Sequence, residues 1–278
     1  LSQEQNQRLT VVIWDITSPI PSEVVNEIGR IDYVIHCAAN ADVAQSIKNP
    51  KSSLMSNVVG TFNILEYARL HVPNIIKFIN IGTNEIFGQC PEGIDFSEYD
   101  RYNSKTPYSA SKAAAEEFCV AYENTYKLPI SCIHTMNVFG ERQSPNKFIN
   151  IVIRKILNGE NITINPGFRK WIHATDLCDA IWFVLNLNKV EIPSKEHTCP
   201  KFNIVGEEYS NLEIATMVAD VLGKPLNCEA PTEVRAGHDF RYSLNGEYIN
   251  SLGWKITTPF DVRIKNMVNW TLQNNRWL

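Results

Sequence analysis

The run Ile75-Ile-Lys-Phe-Ile-Asn-Ile-Gly-Thr-Asn-Glu-Ile-Phe-Gly88, followed after a polar loop by Pro107-Tyr-Ser-Ala-Ser-Lys112, decides how the chain reads. Its first half is a short apolar run closed by Gly82, the pattern of a strand buried on both faces. Such a strand delivers Thr83, Asn84 and Glu85 to whatever lies beyond its carboxyl end. The second half opens a helix in which Tyr108 and Lys112, four residues apart, share one face. An ammonium beside a phenol favours the phenolate, lowering a pKa that is otherwise about 10. A phenol tuned in this way takes a proton from a substrate hydroxyl while a hydride leaves the same carbon. A lone Tyr-x-x-x-Lys is common on helices. The strand ending in Gly-Thr-x-Glu and the earlier His36-Cys-Ala-Ala39 turn single this one out.

Working outward, Thr10 to Trp14 reads as a strand ending at Asp15, Pro21 to Ile28 as a helix closed by Gly29, and Ile31 to Cys37 as a second strand. Asp42 to Asn49 reads as a short helix stopped by Pro50, and Lys51 to His71 as a longer one containing Asn57. Tyr108 to Tyr126 and then Pro129 to Thr135 continue the alternation. Strands alternating with helices predict parallel βαβ units, hence an α/β fold with a doubly wound parallel sheet whose ligands sit beyond the strand carboxyl ends. The composition changes after Gly140, so residues 1–140 are expected to form one region, with returns to its sheet near 171–205, and residues 141–278 a smaller second one. Ser210-Asn-Leu-Glu213 is a capping box opening a helix that Gly223 closes, and Thr258-Pro259 with Asp261 opens the last helix with Pro at its first position.

At 278 residues the chain buries a full core. A net charge of -4 offers no overall basic surface to nucleic acid. Seven cysteines, odd in number and without Cys-x-x-Cys spacing, argue against a disulfide framework and for a reducing cytoplasm; no metal site is expected. No apolar run reaches the ~18 residues of a membrane span, and the first residues do not read as a signal peptide.

The motifs Asp15-Ile16, Val34-Ile-His-Cys-Ala-Ala39, Ser56-Asn-Val-Val-Gly-Thr61, Thr83-Asn-Glu-Ile-Phe-Gly88, Tyr108-x-x-x-Lys112, Asn137-Val-Phe-Gly140 and Arg235-Ala-Gly-His-Asp-Phe-Arg-Tyr242 occur in this order. On them the chain resembles the extended short-chain dehydrogenase/reductase family, and within it the nucleotide-sugar 4,6-dehydratases. The resemblance implies a Rossmann-like dinucleotide-binding domain over 1–140, a substrate domain over 141–278, NAD as cofactor, a nucleotide-diphosphate hexose as substrate and a homodimer built on the two long helices. Asp15 and Ile16 would hold the adenine, although an N-cap role for Asp15 stays open. Cys37, Ala38 and Ala39 would line the ribose and phosphates, and Asn57 would contact the active-site backbone on the cofactor side. Tyr108 would be the base for the sugar 4-hydroxyl, Lys112 would tune it and hold the nicotinamide ribose, Thr83 would bind the 4-oxygen and Glu85 would remove the C5 proton. Asn137, Arg142, Lys147, Phe148, Arg169, Asn203, Arg235 and His238 would meet the nucleotide sugar, with Arg241 a further cation for its diphosphate or, like the others, a surface charge.

Two departures from the family pattern shape the expectations. The Gly-x-x-Gly-x-x-Gly turn that opens it is not in this sequence, and Asp15 matches a position tens of residues into the pattern, so a first βαβ unit is expected ahead of Leu1. Asn84 stands where relatives carry the Asp that protonates the leaving C6 oxygen, and an amide is no acid. Either Glu85 passes its proton to that oxygen, or no water is eliminated and the chain is a 4-epimerase or a decarboxylase of the same family. A cofactor-binding regulator without turnover is the alternative from another class; it usually lacks the Tyr or the Lys, both present here.

Overall fold

Helix and strand alternate through the computed structural model, which describes residues 3–188, 191–193, 198–233 and 240–278. Helices α1 (Gln3–Gln7) and α2 (Ser22–Ile28) come first, then β1 (Tyr33–His36), α3 (Val43–Lys48) and α4 (Pro50–Ser53). A π-helical stretch, Leu54–Val59, runs into α5 (Gly60–His71), followed by β2 (Lys77–Ile81), a 3-10 turn at Asn84–Phe87, α6 (Pro107–Tyr126), β3 (Ile130–Thr135) and β4 (Asn137–Phe139). Next come α7 (Phe148–Asn158), β5 (Ile162–Thr163), β6 (Phe168–His173), α8 (Ala174–Leu185), β7 (Lys201–Ile204) and β8 (Glu207–Ser210). The last are α9 (Asn211–Leu222), β9 (Cys228–Glu229), β10 (Arg241–Tyr242), α10 (Glu247–Ser251) and α11 (Phe260–Gln273). Rather than dividing at residue 140, the chain forms two interleaved compact units: residues 1–82, 104–133 and 191–201, and residues 83–103, 134–190 and 202–278.

In the first unit β1 pairs with β2 and β2 with β3, all parallel. Every residue of β3 is buried, as a parallel sheet covered on both faces requires. Phe78, Leu65, Ala68, Tyr122 and Ile130 pack under α5 and α6. Helix α6 starts where it does because Thr106 caps it, Pro107 fills its first position and Ser109 returns the capping bond. Its buried face, Tyr108, Ser111, Lys112, Ala115, Glu116, Cys119 and Tyr122, recurs at helical spacing but carries two charges. The segment Thr10–Trp14 is not the strand its β-branched residues suggest. No described strand takes up its hydrogen bonds, and Val11 and Ile13 are 71% and 94% exposed.

In the second unit β6 is the central strand, parallel to β10 and β4 and antiparallel to β8. Ile149, Val152 and Ile153 of α7, Ile214 and Val218 of α9, and Ile264 and Met267 of α11 share one core. Ser210 and Glu213 form the capping box of α9, and Gly223 closes that helix in the left-handed region. Pro259 is the cap of α11 rather than its first residue. Between β7 and β8 the chain passes so close to β6 that a Cβ on Gly206 would lie 1.8 Å from the carbonyl oxygen of Trp171. Gly206→Ala is therefore expected to destabilise the protein by ~2 kcal/mol or more, read as a lower urea midpoint at unchanged slope.

Candidate active site

In the first unit the site is built at the carboxyl ends of β1 and β2. Strand β1 runs out into Cys37 and Ala38, both exposed, and half-buried Ala39, a turn whose small side chains leave the backbone open to a ligand. Lys112 is 5% exposed, and its Nζ donates to the carbonyl of Ile81, the last residue of β2, at 2.6 Å. Burial pushes the Lys112 ammonium below its ordinary pKa; the nearby thiols Cys119, Cys132 and Cys37 and the carboxylate of Glu116 act against it. Tyr108 is 8% exposed and lies one helical turn before Lys112 on the same face, with its backbone N–H bonded to Ser46 Oγ.

Asn57 lies in the π-helical stretch, a wide turn of the kind often found at functional sites. Its Oδ1 accepts from the N–H of Asn40 at 2.7 Å, and its Nδ2 donates to the Asn40 carbonyl and to Ser111 Oγ. Ser111 in turn donates to the carbonyl of Tyr108. Through these bonds Asn57 ties the loop after Ala39 to the helix of Tyr108. Asp15 is exposed and accepts from Thr17 N–H in a local turn, so it caps no helix. Ile16 packs against Gly60, and its carbonyl accepts from Asn63.

The second unit begins at Thr83, directly after the strand. Thr83 caps the 3-10 turn, its hydroxyl oxygen accepting from the N–H of Glu85. Thr83 and Asn84 are buried and Glu85 half-buried. Phe87 anchors the turn from below among Phe96, Tyr102 and His134. Gly88 must be glycine, since its φ is 74° and a Cβ would lie 2.5 Å from the carbonyl of Asn103. The Asn84 Nδ2 finds no acceptor among the described residues, which leaves a buried amide donor on this turn.

The expected sugar-nucleotide residues divide. Asn137 opens β4, Lys147 is exposed at the cap position of α7, Phe148 packs on Trp171, and Arg142, at a φ of 66°, lies over the ring of Trp270. Arg169 is buried over Tyr242, and its Nη1 donates to the carbonyls of Phe168 and Phe240. One amide and one cation serve the scaffold instead. Asn203 is fully buried: its Oδ1 accepts from His134 Nδ1, its Nδ2 donates to the carbonyls of Phe96 and Asn245, and its N–H donates to Glu98. Arg241 is held by Asp95 and Glu208, so it offers no free charge to a diphosphate. Both expectations are corrected because buried polar groups find partners in the fold first. Arg235 and His238 lie outside the described residues. In the same unit a cavity of about 400 Å³ opens among Ile164, Pro166, Phe168, Leu212, Cys228 and Glu229. Among the described residues no cluster of acidic, His and Cys side chains suits a metal, and no helix is long and apolar enough to cross a membrane.

Residues 2–198 match the pattern of the NAD dependent epimerase/dehydratase family. The chain belongs to that family. The dTDP-glucose 4,6-dehydratase of Xanthomonas campestris pv. campestris is 31% identical, over 89% of this chain and 74% of its own length. Among solved structures of the family, the dTDP-glucose 4,6-dehydratase of Streptomyces venezuelae, with NAD bound, is 27% identical with a TM-score of 0.82, covering 95% of this chain and 80% of that one. The UDP-glucose 4-epimerase of Thermus thermophilus, also with NAD, is 25% identical with a TM-score of 0.80, covering 92% and 83%. The epimerase/dehydratase chain has one feature its motifs do not spell out, a buried histidine under the cofactor turn.

His36 is 5% exposed, and its Nε2 lies 2.9 Å from Thr61 Oγ1. Thr61 gives its own proton to the carbonyl of Asn57, so Nε2 must be the donor and the neutral ring leaves Nδ1 bare. Burial, and then the charge of Lys112, lower its pKa from 6.5 to about 4. Below pH 6.5 the unfolded chain takes up a proton that the folded one refuses, so stability falls as pH drops from about 6.5 to about 4. The full loss is about 3 kcal/mol. Urea unfolding across this range is expected to show that slope in the wild type and a shallower one in His36→Gln.

Proposed function

We propose that this chain is a nucleotide-sugar 4,6-dehydratase, converting a nucleoside-diphosphate hexose into its 4-keto-6-deoxy product with NAD. The observation that carries the reading is the bond from Lys112 to the carbonyl of Ile81. It fixes the helix of Tyr108 in register on the strand that continues, two residues later, into Thr83-Asn84-Glu85. The residues fit a dinucleotide: the exposed small-residue turn Cys37-Ala38-Ala39 suits ribose and phosphate, and the ammonium of Lys112, close enough to Cys37 to act on its thiol, suits the nicotinamide ribose. We assign the adenine to Asp15 and Ile16. NAD, when bound, supplies the acceptor for the C4 hydride and the source of the hydride returned to C6.

In this reading Tyr108 takes the proton of the 4-hydroxyl, Lys112 stabilises the phenolate and Thr83 donates to the 4-oxygen. The 4-ketone acidifies C5, and Glu85 removes that proton. Asn84 has no acidic proton, so Glu85 hands the C5 proton to the 6-oxygen as the C6–O bond breaks and water leaves. The Asn84 amide donor holds the 6-oxygen during this transfer. C5 regains a proton as C6 is reduced, which matches in the overall count the one Tyr108 removed. We assign the diphosphate to Arg142 and Lys147, the sugar nucleotide's further contacts to Asn137, Phe148 and Arg169, and the nucleobase to the 400 Å³ cavity. Arg235 and His238 keep the substrate role their motif implies.

A second copy of the chain is the partner this reading expects. Phe62 and Leu70 of α5 and Phe118 and Tyr126 of α6 are exposed, with Phe62 and Phe118 edge to face at 6.1 Å. Seven free cysteines suit a reducing cytoplasm. Asn84 favours one other reading, a 4-epimerase, in which no acid is needed at C6.

Incubation with dTDP-, UDP-, GDP- and CDP-hexoses is expected to yield a 4-keto-6-deoxy product from one of them; an epimer without keto sugar would mean epimerase. Tyr108→Phe is expected to lower kcat roughly 10³-fold while NAD affinity stays within a few-fold. Glu85→Gln is expected to stall with the 4-keto, 6-hydroxy sugar, and normal product from that variant would remove Glu85 from the mechanism.

A further inference from the structure

Behind Tyr108 and Lys112 lies a buried charge array that the chemistry above does not use. Tyr108, Lys112 and Glu116 recur every fourth residue of α6 and so stack along one side of it. Glu116 is 0% exposed, and its Oε1 is 2.9 Å from Nζ of Lys201, the first residue of β7, itself 5% exposed. The same carboxylate acts on Lys112, one turn back along the helix. Two ammoniums and one carboxylate thus share a water-poor layer and leave one net positive charge. Burial pulls the Lys201 ammonium down, but the charge and hydrogen bond of Glu116 outweigh it and hold Lys201 protonated above its ordinary value.

Such an array is expensive to bury, and a carboxylate left with one lysine would be cheaper. With Lys112 as its sole partner, however, Glu116 would cancel the positive field that Lys112 exerts on the phenol in front of it. We propose that Glu116 and Lys201 are positioning residues for the Tyr108–Lys112 pair: Lys201 engages the Glu116 carboxylate, so that Lys112 faces Tyr108 with its charge uncancelled from behind. The inference rests on the reading of Tyr108 as the base.

Other titratable groups also face the array. His36 and Cys37 face it from the end of β1, and burial keeps His36 neutral near pH 7. Cys119 on α6, Cys132 on β3 and Cys199 ahead of β7 complete the set. Hydrogen bonding to Cys132 and burial push the Cys119 and Cys199 thiols up, while the hydrogen bonds those two give pull the Cys132 thiol down, so that it supplies negative charge on the Lys201 side of the array. On α5, Glu66 is bound by Arg69 and Tyr122, and Thr61 meets His36 without charge.

The test is a phenolate absorbance titration of the full-length protein with NAD, taken as the difference between each variant and its Tyr108→Phe counterpart, beside the pH profile of kcat. Lys201→Met removes a positive charge and is expected to raise the Tyr108 midpoint by about one pH unit, as one charge two helical turns away, about 12 Å at 1.5 Å per residue, does at an effective dielectric near 20. Glu116→Gln is expected to lower it by a similar amount. The double variant restores the net charge and is expected to return close to wild type, and Lys201→Arg to stay there. Should Lys201→Met not fold, Glu116→Gln and the double variant still decide. Midpoints that do not move in folded variants, or a double variant that does not return, overturn the proposal. Because the titration needs no sugar, absent dehydratase turnover in the wild type would sink the functional reading without touching this result.

Discussion

A protonated amine in a protein interior must be met by acceptors or it will not stay there. Lys112, nearly out of contact with water, is met by the Ile81 carbonyl, and this bond sets how α6 lies on the sheet. Slipping the helix by one residue would turn the ammonium into apolar packing around Phe78 and Leu65. Much of the first unit is arranged to keep that register: Thr106 and Ser109 fix where the helix starts, and Ser46 and Ser111 hold its first turn.

Asn57 extends the same logic to the cofactor side. A π-helical stretch presents its carboxamide to the loop after Ala39 and to Ser111 together, so the turn after β1 and the helix of Tyr108 cannot drift apart independently. On the strand-tip side, stiffness has another source. The Thr83 cap, the aromatic packing of Phe87 and the enforced glycine at 88 leave the Thr83–Phe87 turn little freedom.

Asn84 gives this family member its own chemical character. Replacing an acid by an amide on a buried turn removes a proton source but keeps a hydrogen-bond donor.

The sequence by itself determined the parallel α/β alternation and the family, and it placed Tyr108 and Lys112 on one helical face and Thr83, Asn84 and Glu85 just past a strand, because each is written in local periodicity or in short spacings along one element. It also gave the capping boxes, which are matters of adjacent residues. It misassigned Asn203, Arg241 and the Thr10–Trp14 strand, and it passed over His36, Glu116 and Lys201. Whether a polar side chain reaches a ligand or is consumed by the scaffold depends on what the fold brings beside it: Asn203 meets His134 and Asp95 takes Arg241 from far along the chain. Glu116 was half legible, lying on the face of Tyr108 and Lys112. Its partner Lys201 comes from a strand 85 residues later, and only tertiary structure makes such a pair, since burial and long-range pairing are not properties of any local stretch.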